Sequence, residues 1–183
     1  MKPIISQKKF DAIYKEHQEW LKSEGESGKR AFLKDSDLTN LYLPKPINLT
    51  HANLKGSDLS SLNFTGAQLK GANLINCNLK DSNFTGANLV RANLTRVDLS
   101  NADLVNTNLF KANLSEADLT DVSAELADFT SANLKKTELD ETHLESANLK
   151  DADFTGATSS EDSYLKGAND EDVVGLNIDE GRE

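Results

Sequence analysis

The stretch that decides the fold is ANLVRANLTRVDLSNADLVN, residues 87–106, in which a small residue, an Asn or Asp and a Leu recur every five residues. The same order continues on both sides. Stepping by five from Leu49 to Phe154 reaches 22 positions, of which 17 are Leu, four are Phe and one is Ala124. A period of five fits neither the 3.6-residue turn of an α-helix nor the two-residue alternation of a strand. The repeat therefore predicts a chain that turns a corner every five residues.

Each five-residue unit is predicted to point its central Leu or Phe, and the small residue two positions earlier, into a core. Gly, Asn and Asp collect at the second position after the Leu, and because these residues tolerate positive φ, each unit is expected to end in a turn. Ala124 is small where the ladder is otherwise large, and Val122 and Phe129 are expected to fill the space beside it. The predicted core ladder is Leu54, Leu59, Phe64, Leu69, Leu74, Leu79, Phe84, Leu89, Leu94, Leu99, Leu104, Leu109, Leu114, Leu119, Phe129, Leu134, Leu139, Leu144, Leu149 and Phe154.

The units from Ala52-Asn53-Leu54 to Ala152-Asp153-Phe154 resemble those of the pentapeptide-repeat family. The resemblance implies an all-β solenoid, a right-handed quadrilateral β-helix with four units per coil, in which residues 20 apart stack. Weaker units are predicted upstream at Asp37-Leu38 and Tyr42-Leu43, and an extra residue near Pro44-Lys45-Pro46 is expected to shift the register. The sequence ahead of the repeats resembles the helical leader of bacterial, cyanobacterial-type members.

The chain is divided by these patterns into three parts. Residues 1–30 are assigned to an N-terminal helix cap, because residues 7–22 have the apolar spacing of an amphipathic helix, with Ser6 as its N-cap. Residues 31–158 are assigned to the β-helix, and residues 159–183 to a C-terminal cap and acidic tail. A β-helix leaves unpaired backbone at its ends, so the helix is expected to cover the first coil. A partner-binding or dimerising helix is the alternative.

The composition narrows the possible partners and the compartment. The 183-residue chain has a net charge of −10 and a pI of about 4.8, which disfavours direct nucleic-acid binding and favours a basic partner. The single cysteine, Cys77, has no partner for an internal disulfide. The N-terminus lacks an apolar stretch of signal-peptide length, and no window approaches the roughly 18 apolar residues of a membrane span. These features predict a cytoplasmic protein with no membrane association.

Sorting the units by fours assigns every charge to a side of the predicted coil. We name the four sides, in chain order, the Leu54 face, the Leu59 face, the Phe64 face and the Leu69 face. Eight of the nine Lys and Arg residues between positions 47 and 154 fall on the Leu54 and Leu69 faces, and Lys80 is the exception. The acids concentrate on the Leu59 face, the candidate partner-binding surface; an ordinary solubilising surface is the alternative. Its acids are Asp58, Asp81, Asp98, Asp118, Asp121, Glu138, Asp140 and Glu141.

Few residues in the sequence suggest chemistry. His143 stands beside Glu138, Glu141 and Glu145, and imidazole with carboxylates suits several divalent ions. Outward side chains on a flat face converge poorly, however, so no metal site is predicted. Cys77 takes an inward small-residue position and is expected to be buried. The sequence contains no phosphate-binding loop, nucleophile elbow or CxxC motif, so we expect no catalytic residue, no cofactor and no enzymatic activity.

The leading functional hypothesis is a monomeric, non-enzymatic scaffold that binds a basic protein partner along the Leu59 face. The family resemblance implies two alternatives. Some pentapeptide-repeat proteins mimic DNA and bind DNA gyrase and related type II topoisomerases, protecting them from quinolones, and others are regulators of a protease or a transcription factor. Members that bind topoisomerases generally dimerise through a C-terminal helix and often carry loop insertions, features that the repeats and the acidic tail of this sequence do not show.

Overall fold

The computed structural model describes residues 2–159, 168 and 172–175. One α-helix, α1 Gln7–Lys22, precedes a long series of parallel bridges, most of which join residues 20 apart. The bridges form four ladders, from Asn53 to Asp153, Asp58 to Thr158, Asn63 to His143 and Asn48 to Asn148. These ladders run along the Leu54, Leu59, Phe64 and Leu69 faces respectively. The chain therefore completes one coil with every fourth unit.

Each side of the coil is too short to form an extended strand. Only the residue before the inward Leu makes a bridge, and among the described residues every bridge is an isolated one. The turn follows at once: Asn76 and Lys111, both two residues after an inward Leu, have φ of 56° and 57°. The N–H of Ala92 then donates to the carbonyl of Leu89 at 2.9 Å, which closes the corner. The β-structure is thus a stack of single bridges instead of the continuous strands that an all-β fold suggests.

The Asn or Asp before each inward residue holds the corner in place. Asn93 Oδ1 accepts the backbone N–H of Thr95 at 3.2 Å, and Asp98 Oδ1 accepts that of Ser100 at 3.0 Å. The same bond recurs along all four ladders. A short side chain that accepts an N–H two residues ahead favours a turn. This bond explains why Asn and Asp occupy a position that the repeat pattern alone marks only as polar.

The interior is a continuous column of the inward side chains. All twenty residues of the core ladder are at most 2% exposed, and the rings of Phe64 and Phe84 stack with centroids 4.8 Å apart. Some polar atoms in the column bond to the preceding coil: Thr107 Oγ1 donates to Phe84 O at 2.8 Å and Cys77 Sγ donates to Leu54 O at 3.0 Å. Others bond within their own coil, as Thr137 Oγ1 does to Leu134 O at 2.8 Å. Burial raises the pKa of the Cys77 thiol to about 12. Cys77 is therefore a packed, protonated thiol.

The helix predicted over residues 7–22 is confirmed as α1, with Ser6 Oγ accepting the N–H of Lys9 at 3.4 Å. Phe10 and His17 are its buried residues, and Phe10 belongs to the same core as the coils. The chain then returns across α1 at Gly28. A Cβ atom there would lie 2.3 Å from the carbonyl oxygen of Glu16, which explains the glycine.

Side chains of α1 also bond to the open edge of the first coils. The Tyr14 hydroxyl accepts the N–H of Asn48 at 3.3 Å, and Gln18 Nε2 donates to the carbonyl of Asn48 at 2.9 Å. His17 Nδ1 accepts the N–H of Ala31 at 3.2 Å. Without these partners, backbone groups at the start of the ladders would lie unpaired at the end of the stack.

The register before Leu49 contains the expected extra residue. Phe32 pairs with Asn53 and Asp37 pairs with Asp58, so these partners are one position further apart than those of the later coils. The predicted unit at Tyr42-Leu43 does not form a ladder rung: Leu43 is buried, but Tyr42 makes no bridge and is 86% exposed. Instead of a bridge, the Tyr42 backbone bonds to the Gln7 side chain of α1, which accepts the Tyr42 N–H at 2.8 Å and donates to the Tyr42 carbonyl at 3.1 Å.

At the other end of the stack, Val174 adds one rung. It bridges Asp153, and its carbonyl accepts the N–H of Phe154 at 2.7 Å. The rest of the predicted C-terminal cap and acidic tail, residues 160–167, 169–171 and 176–183, lies outside the described residues. In the part of the chain that the structure describes, no helix has the length and apolar character needed to cross a bilayer.

Candidate interaction surface

The eight acids predicted for the Leu59 face fall into two structural groups. Asp58, Asp98 and Asp118 occupy the ladder, are half-buried and hold corners. Asp58 Oδ1, for example, accepts the N–H of Ser60 at 3.1 Å and Nδ2 of Asn78 at 3.1 Å. The carboxylates of this group therefore already make hydrogen bonds that stabilise the turns.

The second group is exposed on the surface of the Leu59 face. Four of its members lie in two consecutive coils of the face, where Glu138 is the ladder residue directly above Asp118. Adjacent rungs of such a ladder are about 4.8 Å apart, so these carboxylates form a dense negative surface. The exposed acids are Asp81, Asp121, Glu138, Asp140 and Glu141.

The negative charge is strongest where the Leu59 face meets the Phe64 face near the C-terminal end of the stack. The units of residues 117–126 and 137–146 supply seven acids on these two adjacent faces and neither Lys nor Arg. We call this set the C-terminal acidic patch. It consists of Asp118, Asp121, Glu125, Glu138, Asp140, Glu141 and Glu145.

Two acids of the Leu54 face have basic partners. Arg96 Nε lies 3.3 Å from Glu116 Oε2, and Lys135 Nζ lies 2.9 Å from Asp153 Oδ2. The side-chain hydrogen bond from Thr155, together with Lys135 and the Thr155 backbone N–H, lowers the pKa of Asp153 to about 2. The acids of these two pairs are therefore locally neutralised. The segments that supply the C-terminal acidic patch contain neither Lys nor Arg, and their one imidazole, His143, lies beside Glu145.

The acids that lie near His143 in space differ from those that lie near it in the sequence. Glu138 and Glu141 belong to the Leu59 face, whereas His143 and Glu145 lie on the Phe64 face, one coil beyond Glu125. His143 Nδ1 is 3.3 Å from Glu145 Oε1, and Glu125, His143 and Glu145 can each place one ligand atom within 4.8 Å of the others. Of the three acids that stand beside His143 in the sequence, only Glu145 belongs to this cluster. The equivalent positions of Glu125 and Glu145 in consecutive coils are the signal that could have identified the third member.

A shallow groove lies where α1 meets the Leu54 face. Its volume is about 200 Å³, and it is lined by Trp20, Arg30, His51, Ala52, Asn53, Gly71 and Asn73. At Gly71 a Cβ atom would lie 2.4 Å from His51 Nδ1, so a larger residue there would displace the His51 ring. The lining offers one permanent cation and several amides and does not include Cys77 or a carboxylate. This groove is small and polar, unlike the apolar pockets that bind most small ligands.

Comparison with known proteins is consistent with this architecture. The pentapeptide repeats family model matches residues 47–86, 87–123 and 125–158, with eight copies of the repeat. No curated protein sequence matches the chain. Members of this family are generally non-enzymatic scaffolds for protein interactions, and their fold, a right-handed quadrilateral β-helix, accounts for bridges between residues 20 apart.

Three solved structures illustrate the likeness. HetL, a pentapeptide repeat protein involved in heterocyst differentiation regulation in Nostoc sp. strain PCC 7120, is 24% identical, with 80% of this chain and 81% of HetL covered and a TM-score of 0.46. A pentapeptide repeat protein from the thylakoid lumen of Arabidopsis thaliana is 31% identical, with 59% and 72% covered and a TM-score of 0.45. QnrB1, a plasmid-mediated fluoroquinolone resistance protein, is 14% identical, with 81% and 86% covered and a TM-score of 0.48. The family model described above matches more than half of the residues of this chain, and the chain therefore belongs to the pentapeptide repeat family.

Proposed function

We propose that the protein is a non-enzymatic scaffold that binds a basic protein partner through the Leu59 face, chiefly through the C-terminal acidic patch. The observation that carries this proposal is the patch itself. Seven carboxylates lie on two adjacent faces over two coils, without a Lys or Arg among them. On the Leu54 face, by contrast, Arg96 and Lys135 lie beside acids.

The spacing of the charges supports an interaction role. Rungs about 4.8 Å apart lie well inside the screening length of about 8 Å at physiological salt. The potentials of neighbouring carboxylates therefore add, and a basic partner would gain both orientation and association rate from them. The bridged backbone holds these acids in a fixed array, so little order has to be created on binding.

A charge-neutralised variant tests the proposal. We would replace Asp121→Asn, Glu138→Gln and Glu141→Gln together and leave Asp98 and Asp118 unchanged, because these two hold corners. A fluorescent oligolysine peptide serves as the basic probe, with affinity measured by anisotropy at several salt concentrations. We expect the variant to bind about tenfold more weakly and with a shallower dependence on salt.

A matched control distinguishes an effect of the Leu59 face on binding from an effect of the net charge of the protein. Glu19→Gln, Glu24→Gln and Asp151→Asn remove the same charge from exposed positions outside the Leu59 and Phe64 faces. This variant should keep wild-type affinity. Equal weakening of both variants would show that the probe responds to net charge alone, and the interaction role of the Leu59 face would then be abandoned.

The DNA-mimic alternative depends on a more specific feature, the vertical row of Asp98, Asp118 and Glu138 on consecutive rungs. A gyrase supercoiling assay with and without a quinolone tests it directly. Inhibition of supercoiling or protection from the drug, lost in the Leu59 face variant, would make gyrase the partner. Unchanged supercoiling at saturating protein would leave the general scaffold as the proposed function.

A further inference from the structure

The stacking of coils brings together three metal-ligating side chains on the Phe64 face. Glu125 and Glu145 each follow the inward residue of consecutive coils, and His143 precedes the inward Leu144. His143 and Glu145 flank the inward Leu144, and the 3.3 Å separation of His143 Nδ1 and Glu145 Oε1 shows that their side chains converge. The bridge between Ser123 and His143, with the bond from Leu126 N–H to Glu145 O at 3.1 Å, fixes the two coils relative to each other.

The donor atoms are close to the arrangement that a small divalent ion requires. One ligand atom of each residue lies within 4.8 Å of the other two, and His143 Nδ1 and Glu145 Oε1 are already 3.3 Å apart. With Zn–N and Zn–O distances of about 2.1 Å, tetrahedral ligands lie roughly 3.4 Å from one another. Small side-chain rotations would therefore bring all three donors onto one ion without a change in the backbone.

Two carboxylate oxygens in this cluster lack the partner that buried polar atoms normally have. Glu125 Oε2 and Glu145 Oε2 are both enclosed and make no hydrogen bond. Another carboxylate of the Phe64 face is satisfied: Asp103 Oδ2 accepts from Asn83 Nδ2 at 3.2 Å and from Thr85 Oγ1 at 3.0 Å. An enclosed carboxylate oxygen without a donor is costly, and two of them in adjacent coils also repel each other. A bound cation would provide both missing partners.

We propose that Glu125, His143 and Glu145 bind a divalent transition-metal ion of the Zn²⁺ class. One imidazole nitrogen with two carboxylates suits Zn²⁺ and its neighbours in the first transition series, whereas Mg²⁺ and Ca²⁺ prefer oxygen ligands alone. The site is open to solvent, since the side chains of His143 and Glu145 are 40% and 32% exposed. An ion held by three protein ligands would keep a further position for water or for a group of a docked molecule.

Zinc titration of the untagged full chain tests the site. Isothermal titration in a non-chelating buffer should give one saturable Zn²⁺ site, and Zn²⁺ should raise the melting temperature. Glu125→Gln and His143→Gln keep the approximate size of each side chain but remove a ligand. We expect each to weaken Zn²⁺ binding at least tenfold and to abolish the rise in melting temperature.

Two control variants remove similar residues outside the cluster. His51→Gln removes an exposed histidine at the corner between the Leu69 and Leu54 faces, and Glu138→Gln removes an acid nearby in sequence that lies on the Leu59 face. Both should bind Zn²⁺ as the wild type does. The probe here is the metal alone, so the result is independent of whether a basic partner exists.

Three results would overturn the metal site. The first is a wild-type chain without saturable Zn²⁺ binding. The second is wild-type affinity in both the Glu125→Gln and the His143→Gln variants. The third is equally tight binding of Mg²⁺ or Ca²⁺, because attraction to an acidic surface would then explain the data without a role for the imidazole.

Discussion

At the scale of single residues, the acids of the Leu59 face show how one residue type serves two purposes. Asp98 Oδ1 accepts both the N–H of Ser100 at 3.0 Å and its hydroxyl at 2.7 Å, so this carboxylate stabilises a corner. Glu141, at a corner of the same face, is exposed. The sequence shows both as negative charges. Substitutions intended to probe binding should therefore be made at the exposed positions, where they do not disturb the turns.

Ala124 is the residue at which the core departs most from its repeat. It is fully buried, as are Val122 and Phe129 of the same coil. If Val122 and Phe129 take the volume that a Leu would need, as the sequence predicts, Ala124→Leu should overpack the core and lower the free energy of unfolding by about 1–3 kcal/mol. Urea denaturation measures the change.

A companion variant shows whether the site is filled. Leu104→Ala, one coil earlier on the same face, should cost about 2–5 kcal/mol because it leaves a cavity. If Ala124→Leu instead raised the melting temperature while Leu104→Ala lowered it, the core at Ala124 would have unfilled space, and the roles given to Val122 and Phe129 would be wrong.

At the scale of elements, α1 is joined to the coils through a buried neutral histidine. His17 is fully buried, its Nδ1 accepts the N–H of Ala31, and its ring stacks on Trp20 with centroids 5.8 Å apart. Burial, with smaller effects of the Arg30 and His51 charges, lowers the pKa of His17 to about 4. Protonation of His17 would remove the acceptor for Ala31 and place a charge inside the contact between α1 and the first coils.

The pH dependence of stability follows from this contact. The unfolded chain takes up a proton at His17 below about pH 6.5, while the folded chain does so only near pH 4. The contribution of His17 is therefore complete above pH 6.5 and falls as the pH decreases toward 4, by a total of about 3 kcal/mol. Urea denaturation between pH 7 and pH 4 measures this slope.

Substitutions at the two neighbouring histidines identify the group responsible. His17→Gln keeps a hydrogen-bond acceptor for Ala31 but does not titrate, so the slope between pH 6.5 and pH 4 should become shallower. His51→Gln should retain most of the slope. A His17→Gln variant with the wild-type slope would assign the pH dependence to other groups.

The elements were more predictable than the contacts between them. The apolar spacing of residues 7–22 predicts α1, and the five-residue period predicts which side chains are buried, because both patterns are local in the sequence. Neighbours in space were harder to predict. Glu125 and His143 belong to consecutive coils, and only the stacking makes them adjacent, while Glu138 and Glu141, closer to His143 in sequence, turn onto another face. Tyr42 leaves the ladder because Gln7 bonds to its backbone, a contact that no periodicity indicates.

At the scale of the whole molecule, charge is separated around the stack and along it. Ion pairs such as Arg96 with Glu116 lie on the Leu54 face, whereas the C-terminal acidic patch lies on the Leu59 and Phe64 faces. The helix α1 covers the opposite end of the stack, and its Tyr14 and Gln18 bond to Asn48. A partner bound to the patch would therefore leave the groove beside α1 accessible.

Removal of one complete coil tests the independence of the patch from the coils below it. Deletion of residues 87–106 joins Gly86 to Thr107 and leaves every later unit on its original face. Stability in a repeat protein is roughly a sum over neighbouring repeats, so we expect a cooperatively folded but less stable chain. Oligolysine affinity should stay within about twofold of wild type, because the patch is intact.

A second deletion provides the contrast. Deletion of residues 87–108 is only slightly longer but brings Leu109 to three positions after Phe84, which leaves one unit too short to turn a corner. Far-ultraviolet circular dichroism and urea denaturation should show loss of cooperative folding beyond this point. Equal stability of the two deletion variants would contradict a strict register of four units per coil.

The bridges between equivalent positions of consecutive coils also determine how such a protein can change over evolutionary time. Duplication or loss of a whole coil by unequal recombination alters the length of the stack and preserves its surface pattern, since each later residue keeps its face. Gain or loss of a single unit turns everything downstream by a quarter of a revolution relative to α1. Length can therefore change in whole-coil steps while point substitutions at outward positions alter recognition, and the two properties can be selected separately.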